Sequence, residues 1–331
     1  MPNLSPLVAG TWRLHEQGWS AAERLRWIER WADLGVTSFD HADIYGGYTV
    51  EALFGEALAL RPALRERLQL VSKCGIRLPG HARGAARIKH YDSSAAHIRA
   101  SVEHSLRALQ TDRLDLLLLH RPDPLMDAAE VADAVAALQR EGKILAFGVS
   151  NFGPQAFELL DAATPLATNQ IELHPLRREP LHDGTLDALQ RRGRRPMVWS
   201  PLAGGYLTGK YQPGQDRATG SRSEEGWAFP RRFFHPDHTD ILATLLEVSA
   251  GLGRSPAQVA LRWVLDQRFV TSAIVGARNQ AQIEETLQAV GWRLPAEVRA
   301  RLDEASALPM RYPRTMEDGM RERRASAVRI G

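Results

Sequence analysis

The sequence predicts an α/β chain folded as a single (β/α)8 barrel, with extra helices and a C-terminal tail. Three observations carry that expectation. Eight short apolar runs, each followed by a stretch of helical periodicity, recur along about 300 residues of the chain. One of them, Leu114-Asp115-Leu116-Leu117-Leu118-Leu119-His120, is too apolar for a half-exposed sheet and suits a strand covered on both faces. The alternative, a doubly wound open sheet, wants a glycine-rich turn straight after its first strand, and Gly10-Thr11-Trp12 does not supply one.

The first strand is expected over 7–12. A helix over 21–34 follows, because Ser20 and Glu23 have the spacing of a capping box and Gly35 provides a left-handed stop. The second strand, over 36–39, runs abruptly into Asp40-His41-Ala42-Asp43-Ile44-Tyr45-Gly46-Gly47-Tyr48, whose glycine pair requires a loop. A helix over 50–59, a strand over 68–73 and a helix over 94–109 lead to the apolar strand at 114–120. After a helix over 127–140, strands are expected over 146–150, 167–172 and 196–200, separated by helices beginning after Pro154 and over 185–192. A polar and aromatic segment, 211–236, interrupts the alternation. Helices over 240–251 and 256–266 precede the last strand at 270–275, and helices over 280–290 and 296–305 complete the barrel. Gly251-Leu252-Gly253 lies between two helices and reads as a helix stop. Residues 1–305 are thus assigned to the barrel and 306–331 to a tail or loop that is either mobile or folded over its mouth.

Composition narrows the function. At 44% hydrophobic and 24% charged residues the chain is an ordinary globular one. The net charge of +3 comes from arginines scattered along the chain rather than a stripe with aromatic interleaving, so no nucleic-acid partner is expected. Cys74 is the single cysteine, which excludes an internal disulfide and a cysteine metal cluster. The N-terminus lacks a basic and apolar leader, and no apolar run approaches the ~20 residues of a membrane span; a cytoplasmic protein with no membrane partner is expected. No H-E-x-x-H occurs and no His-x-His follows the first strand, so no metal is expected. No pattern specifies an oligomeric state.

The active site of such a barrel lies at the carboxyl ends of its strands. Those ends carry Thr11, Trp12, Asp40, Lys73, His120, Ser150, Asn151, Gln170, Trp199 and Ser200. Lys73 stands out, because the chain otherwise uses lysine only at 89, 143 and 210 and relies on arginine. Lysine is a compact charge whose pKa responds to burial. The neighbouring residues then make sense as proton-transfer groups. A tyrosine with an ordinary pKa of about 10 is a poor acid at neutral pH, and a nearby ammonium is expected to lower it. Asp40 would keep Lys73 charged, His120 would hydrogen-bond a carbonyl oxygen, and Tyr45 would protonate that oxygen as hydride arrives at the carbon. The plainer readings are a barrel-end salt bridge for Lys73 with Asp40 and a core histidine for His120. His174 is assigned a structural role, and His41 and Asp43 are assigned to anchoring the loop that presents Tyr45.

Asp40-x4-Tyr45, Val71-Ser72-Lys73 and Leu119-His120-Arg121-Pro122, in this order and at barrel spacing, resemble the aldo-keto reductase superfamily, in particular a bacterial branch of predicted oxidoreductases. The likeness runs to about Ala305. It implies an enzyme that reduces an aldehyde or ketone to an alcohol by hydride transfer from NADPH, with Tyr45 as general acid and Trp12, Tyr45 and His120 around a small-molecule carbonyl substrate. It also implies a cofactor set. Ser150, Asn151 and Gln170 match residues that hold the nicotinamide carboxamide, Trp199 the aromatic stacked on that ring, and Ser200, Pro201 and Leu202 the strip under the pyrophosphate. Thr11, Trp12 and Asp40 complete the near end. Lys210 resembles a phosphate-reaching lysine, Gly276 and Arg278 belong to the stretch that matches the adenosine 2′-phosphate site, and Gln282 and Glu285 are placed with the cofactor-binding residues beside it. Arg278 at a helix N-terminus, with Lys210, favours NADP(H) over NAD(H).

The chain departs from the family at three points. Few residues precede Leu7, so the hairpin that plugs the barrel floor in many members is expected to be short or absent. Gln282 stands where some members carry arginine, and Thr286 where many carry asparagine. Trp227, Phe229, Phe233 and Phe234 are read either as a lid over the substrate or as a loop packed on the barrel wall, with the lid favoured because long loops at this face tend to be functional. Two other functions compete: a cofactor-retaining redox-sensing or partner-binding module with slow turnover, and a metal-dependent barrel hydrolase. No residue pattern specifies the substrate.

Overall fold

The computed structural model describes residues 3–80, 86–215, 232–267 and 269–308, with Met316, Met320 and Arg323 as isolated positions beyond them. Eight parallel strands close into a barrel: β1 (Leu7–Gly10), β2 (Ser38–Asp40), β3 (Gln69–Cys74), β4 (Leu116–Leu119), β5 (Phe147–Ser150), β6 (Asn169–Glu172), β7 (Met197–Trp199) and β8 (Ser272–Val275). Closure is made where Leu7, Val8 and Ala9 of β1 pair with Ala273, Ile274 and Val275 of β8. The expected (β/α)8 architecture, a TIM barrel, is the one found.

Alternation along each strand sorts residues into two layers. Val8, Val71, Leu116, Leu118, Met197 and Ile274 form the plug inside the barrel. Leu7, Leu70, Leu117 and Leu119 point outward and join Trp27, Ile28, Trp31 and Phe54 of the surrounding helices. Asp40 is two residues past Ser38, and Lys73 is two past Val71. Both therefore stand on inward rows, directly above the apolar plug.

Ten helices described in the structure surround the sheet. They are α1 (Ala21–Asp33), α2 (Val50–Ala59), α3 (Ala95–Leu109), α4 (Ala128–Arg140), α5 (Pro154–Ala163), α6 (Thr185–Arg191), α7 (Thr239–Leu252), α8 (Pro256–Leu265), α9 (Gln280–Leu287) and α10 (Ala296–Ala305). The capping box expected at Ser20 and Glu23 is formed, and a second one opens α8 with Ser255 and Gln258. Helix α2 comes so close to α3 that a side chain at Gly55 would run into Ala108 and Leu109.

Two features were not anticipated. Ile76–Arg77 and His90–Tyr91 pair as a small antiparallel excursion between β3 and α3, too short to leave a periodic signature. The lid expectation is corrected for Phe233 and Phe234. Phe233 is buried edge-on against His174 at 5.1 Å, and Phe234 packs on Tyr206 and Tyr211 at 5.3 and 5.1 Å, so both rings belong to the barrel wall. The ion pair of Arg232 with Glu172, at the end of β6, pins this segment down. Trp227, Phe229 and nearly all of the expected tail lie outside the described residues.

Candidate active site

The inward rows of β2 and β3 deliver a buried charge cluster. Lys73 Nζ donates to Asp40 Oδ2 at 2.7 Å, to the main-chain oxygen of His41 at 2.7 Å and to Tyr45 Oη at 3.2 Å. Three donors meet three acceptors, so the ammonium has one geometry. Asp40 is fixed in turn, its Oδ1 accepting from Gln170 Nε2 at 2.7 Å. The loop carrying Tyr45 extends the β2–β3 ladder, with His41 N on Val71 O at 2.8 Å and Asp43 N on Lys73 O at 3.0 Å. Gly46 and Gly47, at φ of 59° and 64°, then turn the chain in the left-handed region that suits glycine. His120 leaves the end of β4 with its N–H on Cys74 O at 2.8 Å, and its ring stands edge-on to Tyr45 at 6.1 Å.

Burial dominates the protonation states. It opposes the charge on Lys73, but the Asp40 carboxylate and Tyr45 more than offset it, and the net direction is upward. Burial also raises Tyr45, against the downward pull of Lys73 and with the upward push of Asp40. That net direction corrects the expectation that the ammonium would make Tyr45 more acidic: the ammonium pulls as expected, but desolvation of a phenolate outweighs it. His120 is held well below its ordinary value by burial and by Lys73, Arg121 and Lys89, so its ring is neutral at physiological pH. His41 is pushed down to about 3 by burial and Lys73; its Nδ1 lies 3.0 Å from Thr11 Oγ1, which itself donates to Asp40 O at 2.9 Å.

A cavity of about 920 Å³ opens above this cluster, within the range of small-molecule and cofactor sites. Trp12, Tyr45, His120, Ser150, Gln170 and Trp199 line it at the reacting end, and Asp40 reaches it from below. Ser200, Pro201, Leu202 and Lys210 continue the wall, and Gly276, Arg278, Gln282 and Glu285 form the far end. Thr11, Lys73 and Asn151 stand behind the lining rather than in it. Thr11 and Lys73 are buried, and Asn151 Oδ1 accepts from Trp199 Nε1 at 2.9 Å while its Nδ2 donates to Ser150 Oγ at 2.7 Å. Asn151, Ser200 and Ala203 sit at φ of 63°, 54° and 49°, a conformation costing non-glycine residues roughly 1–2 kcal/mol each. Such strain gathered at the ends of β5 and β7 is a mark of a binding surface.

At the far end, Asn279 caps α9 by accepting from Gln282 N at 3.0 Å, and Gln282 Oε1 accepts from Arg278 N at 2.8 Å. The Gln282 side chain is thereby folded onto the backbone. Arg278 stands exposed beside a helix N-terminus and makes no ion pair among the described residues. Lys210 lies close to Gly205, where a Cβ would come within 3.1 Å of its Nζ. A strip with an aromatic wall at one end and cations at a helix N-terminus at the other suits a dinucleotide. Among the described residues no cluster of metal-ligating side chains occurs, and no helix is long and apolar enough to cross a membrane.

Arg121, Lys89 and Tyr91, which the strand-end pattern does not single out, also line the cavity. For Arg121 a signal was present, since it directly follows His120. For the other two there was none, because the excursion that carries them has no periodic pattern. His174 is fully buried and bonded to Glu172 at 3.2 Å, in keeping with a structural role.

Comparison with known proteins gives a consistent result. The model of the aldo/keto reductase family matches residues 6–307. The chain is 45% identical to oxidoreductase YdhF of Escherichia coli strain K12 over 290 residues, covering 87% of this chain and 89% of that protein. It is 39% identical to a 6-dehydroglucose reductase of Agrobacterium fabrum, again over 87% of this chain and 89% of the relative. Among solved structures, the glycerol dehydrogenase AKR11B4 of Gluconobacter oxydans superposes with a TM-score of 0.79 at 28% identity, covering 94% of this chain and 97% of that one.

Proposed function

The chain belongs to the aldo/keto reductase family, and on that premise we propose that it reduces an aldehyde or ketone to an alcohol with NADPH, using Tyr45 as the general acid. The observation that carries this reading is the triple engagement of Lys73 Nζ by Asp40, His41 and Tyr45 at the floor of the cavity. Tyr45 keeps its proton at neutral pH and delivers it from Oη to the carbonyl oxygen as negative charge develops there. The Lys73 ammonium at 3.2 Å then stabilises the phenolate left behind, and Asp40 keeps that ammonium charged. The neutral His120 ring orients the carbonyl against Tyr45. A bound reduced nicotinamide supplies the hydride.

The residues present fit NADP(H), with NAD(H) the less favoured cofactor. Ser150 and Gln170 would hold the carboxamide with Asn151 bracing Ser150 and Trp199 from behind, Trp199 would carry the ring, and Trp12 and Asp40, backed by Thr11, would support the near end. Ser200, Pro201, Leu202 and Lys210 would lie along the pyrophosphate. Gly276, Arg278, Gln282 and Glu285 would take the adenosine end, where Arg278 supplies a cation for the 2′-phosphate. The partner is a small carbonyl compound, and the buried free thiol of Cys74 suits the cytoplasm. One relative is named a reductase and the structural neighbour a dehydrogenase, which are the two directions of such a reaction.

The test is Tyr45→Phe, assayed by NADPH oxidation against a panel of aldehydes and by quenching of NADPH fluorescence. Turnover should vanish while cofactor binding stays near normal. Wild-type rates in the variant would remove Tyr45 from its role. No saturable activity in the unmodified protein would favour the slow cofactor-retaining module instead.

A further inference from the structure

The reacting end of the cavity holds a cation that the mechanism above does not use. Arg121 leaves β4 directly after His120, lines the cavity, and places its guanidinium carbon 5.9 Å from the centre of the Trp199 ring. Its Nη1 donates to the main-chain oxygen of His120 at 2.8 Å, which fixes the group in place. Among the described residues, neither Nε nor Nη2 has a hydrogen-bond partner and Arg121 makes no ion pair.

Four carboxylates on this face of the barrel are engaged elsewhere, and Glu285 lies at the far end of the cavity. Asp40 serves Lys73 and Gln170, Glu16 pairs with Arg13, Asp123 accepts from Ser93, and Glu172 is held by Arg232 and His174. A second cation, Lys89, reaches the same cavity from the short excursion after β3 and likewise makes no ion pair among the described residues. Both cations act to keep His120 unprotonated.

A half-buried guanidinium without a counter-ion is costly, and the fold retains one next to the proposed proton donor. The planar guanidinium matches a carboxylate or phosphate in a paired geometry that lysine cannot reproduce. The cofactor's own phosphates have cations at the other end of the cavity, in Lys210 and Arg278. We propose that Arg121, assisted by Lys89, is an anion subsite that selects carbonyl substrates carrying a carboxylate or phosphate close to the reacting carbon. The proposal rests on the carbonyl-reductase reading above and adds the substrate's charge to it.

Matched pairs test it: 4-carboxybenzaldehyde against 4-carbamoylbenzaldehyde, and glyceraldehyde 3-phosphate against glyceraldehyde. The full-length protein should favour the anionic member of at least one pair by about 10- to 100-fold in kcat/KM, mostly through KM, as expected for charge-assisted hydrogen bonds. Which pair shows the preference tells carboxylate from phosphate. Arg121→Met should bring the ratio to near one, Arg121→Lys should keep part of it, and Lys89→Met should lower it partially. A ratio near one for both pairs in the unmodified protein, or a ratio unchanged by Arg121→Met, overturns the subsite. Calorimetric titration with benzoate, benzamide and inorganic phosphate reads the subsite without turnover. An anion preference that disappears in Arg121→Met supports it, and its absence from the unmodified protein overturns it. Reduction without charge preference would leave the reductase reading standing and remove the subsite; charge-selective binding without any reduction would do the reverse.

Discussion

Lys73 Nζ lies 2.7 Å from Asp40 Oδ2, with the two side chains only 1% and 4% exposed. The pair arises from register. Asp40 sits opposite Val71 on the neighbouring strand, so Lys73, one inward step further along β3, places its ammonium between the carboxylate and Tyr45. Removing one partner strands a charge in a site that water barely reaches. Lys73→Met should therefore cost about 3–5 kcal/mol in urea unfolding as well as abolish turnover. The double variant Asp40→Leu/Lys73→Met should recover much of that stability and none of the activity. A Lys73→Met protein as stable as the parent would mean that the pair is not the anchor described here.

If Tyr45 is the proton donor proposed above, its raised phenol sets the alkaline limit of reduction. The acid form is required, so the rate should hold across neutral pH. It should fall only as pH rises above the ordinary tyrosine value of about 10. A kcat/KM profile that declined already between about pH 7 and 8 would contradict a raised phenol.

His41 titrates in the opposite direction for stability. Its pKa falls from 6.5 to about 3 on folding, so between those values the unfolded chain binds a proton that the folded one refuses. The contribution is complete above pH 6.5 and is lost as pH drops toward 3. Lowered values at His120 and His174 act with the same sign. Denaturant midpoints measured from pH 6.5 down to pH 5 should reveal a loss of about 1 kcal/mol per pH unit from His41 alone, with the other two histidines adding to it. A flat profile would show that none of these histidines is held neutral by the fold.

Arg278 tests the cofactor preference. If it meets a 2′-phosphate, Arg278→Ala should weaken NADPH binding by about tenfold while leaving NADH binding nearly unchanged. Equal losses for both cofactors would assign the residue to the pyrophosphate or to structure.

Gly55 is a packing prediction. Alanine favours a helix by roughly 1 kcal/mol over glycine, yet its Cβ would lie 2.9 Å from Leu109 C and run into Ala108 O. Gly55→Ala should thus destabilise the barrel by about 1–3 kcal/mol in thermal or urea melts. A stabilised variant would show that α2 can back away from α3.

Much of the site was legible because a closed parallel barrel converts sequence position into spatial position. Residues ending separate strands must face one another, so Asp40, Lys73, His120 and Gln170 could be grouped from strand ends alone, before any contact was known. Periodicity and caps were enough for the helices, as at Ser20 and Glu23, since those signals are local. What is not local stayed hidden. The sign of the Tyr45 shift depended on how deeply the phenol is desolvated, and depth is a property of the assembled barrel. Phe233 and Phe234 looked like lid residues because aromatic composition does not reveal which surface an aromatic ring will find. The need for glycine at 55 depends on how near another helix passes.

The sequence alone determined the architecture, the carboxyl-end face and the identity of the residues gathered there, because apolar alternation, capping and turn chemistry are written within a few residues of each other. Only the tertiary structure decided which of those residues are desolvated, which charges are paired and which are left without a counter-ion. Lys73 and Arg121 are both cations at strand ends. One is neutralised by a carboxylate from the next strand and the other is not, and that difference exists only once the strands are side by side.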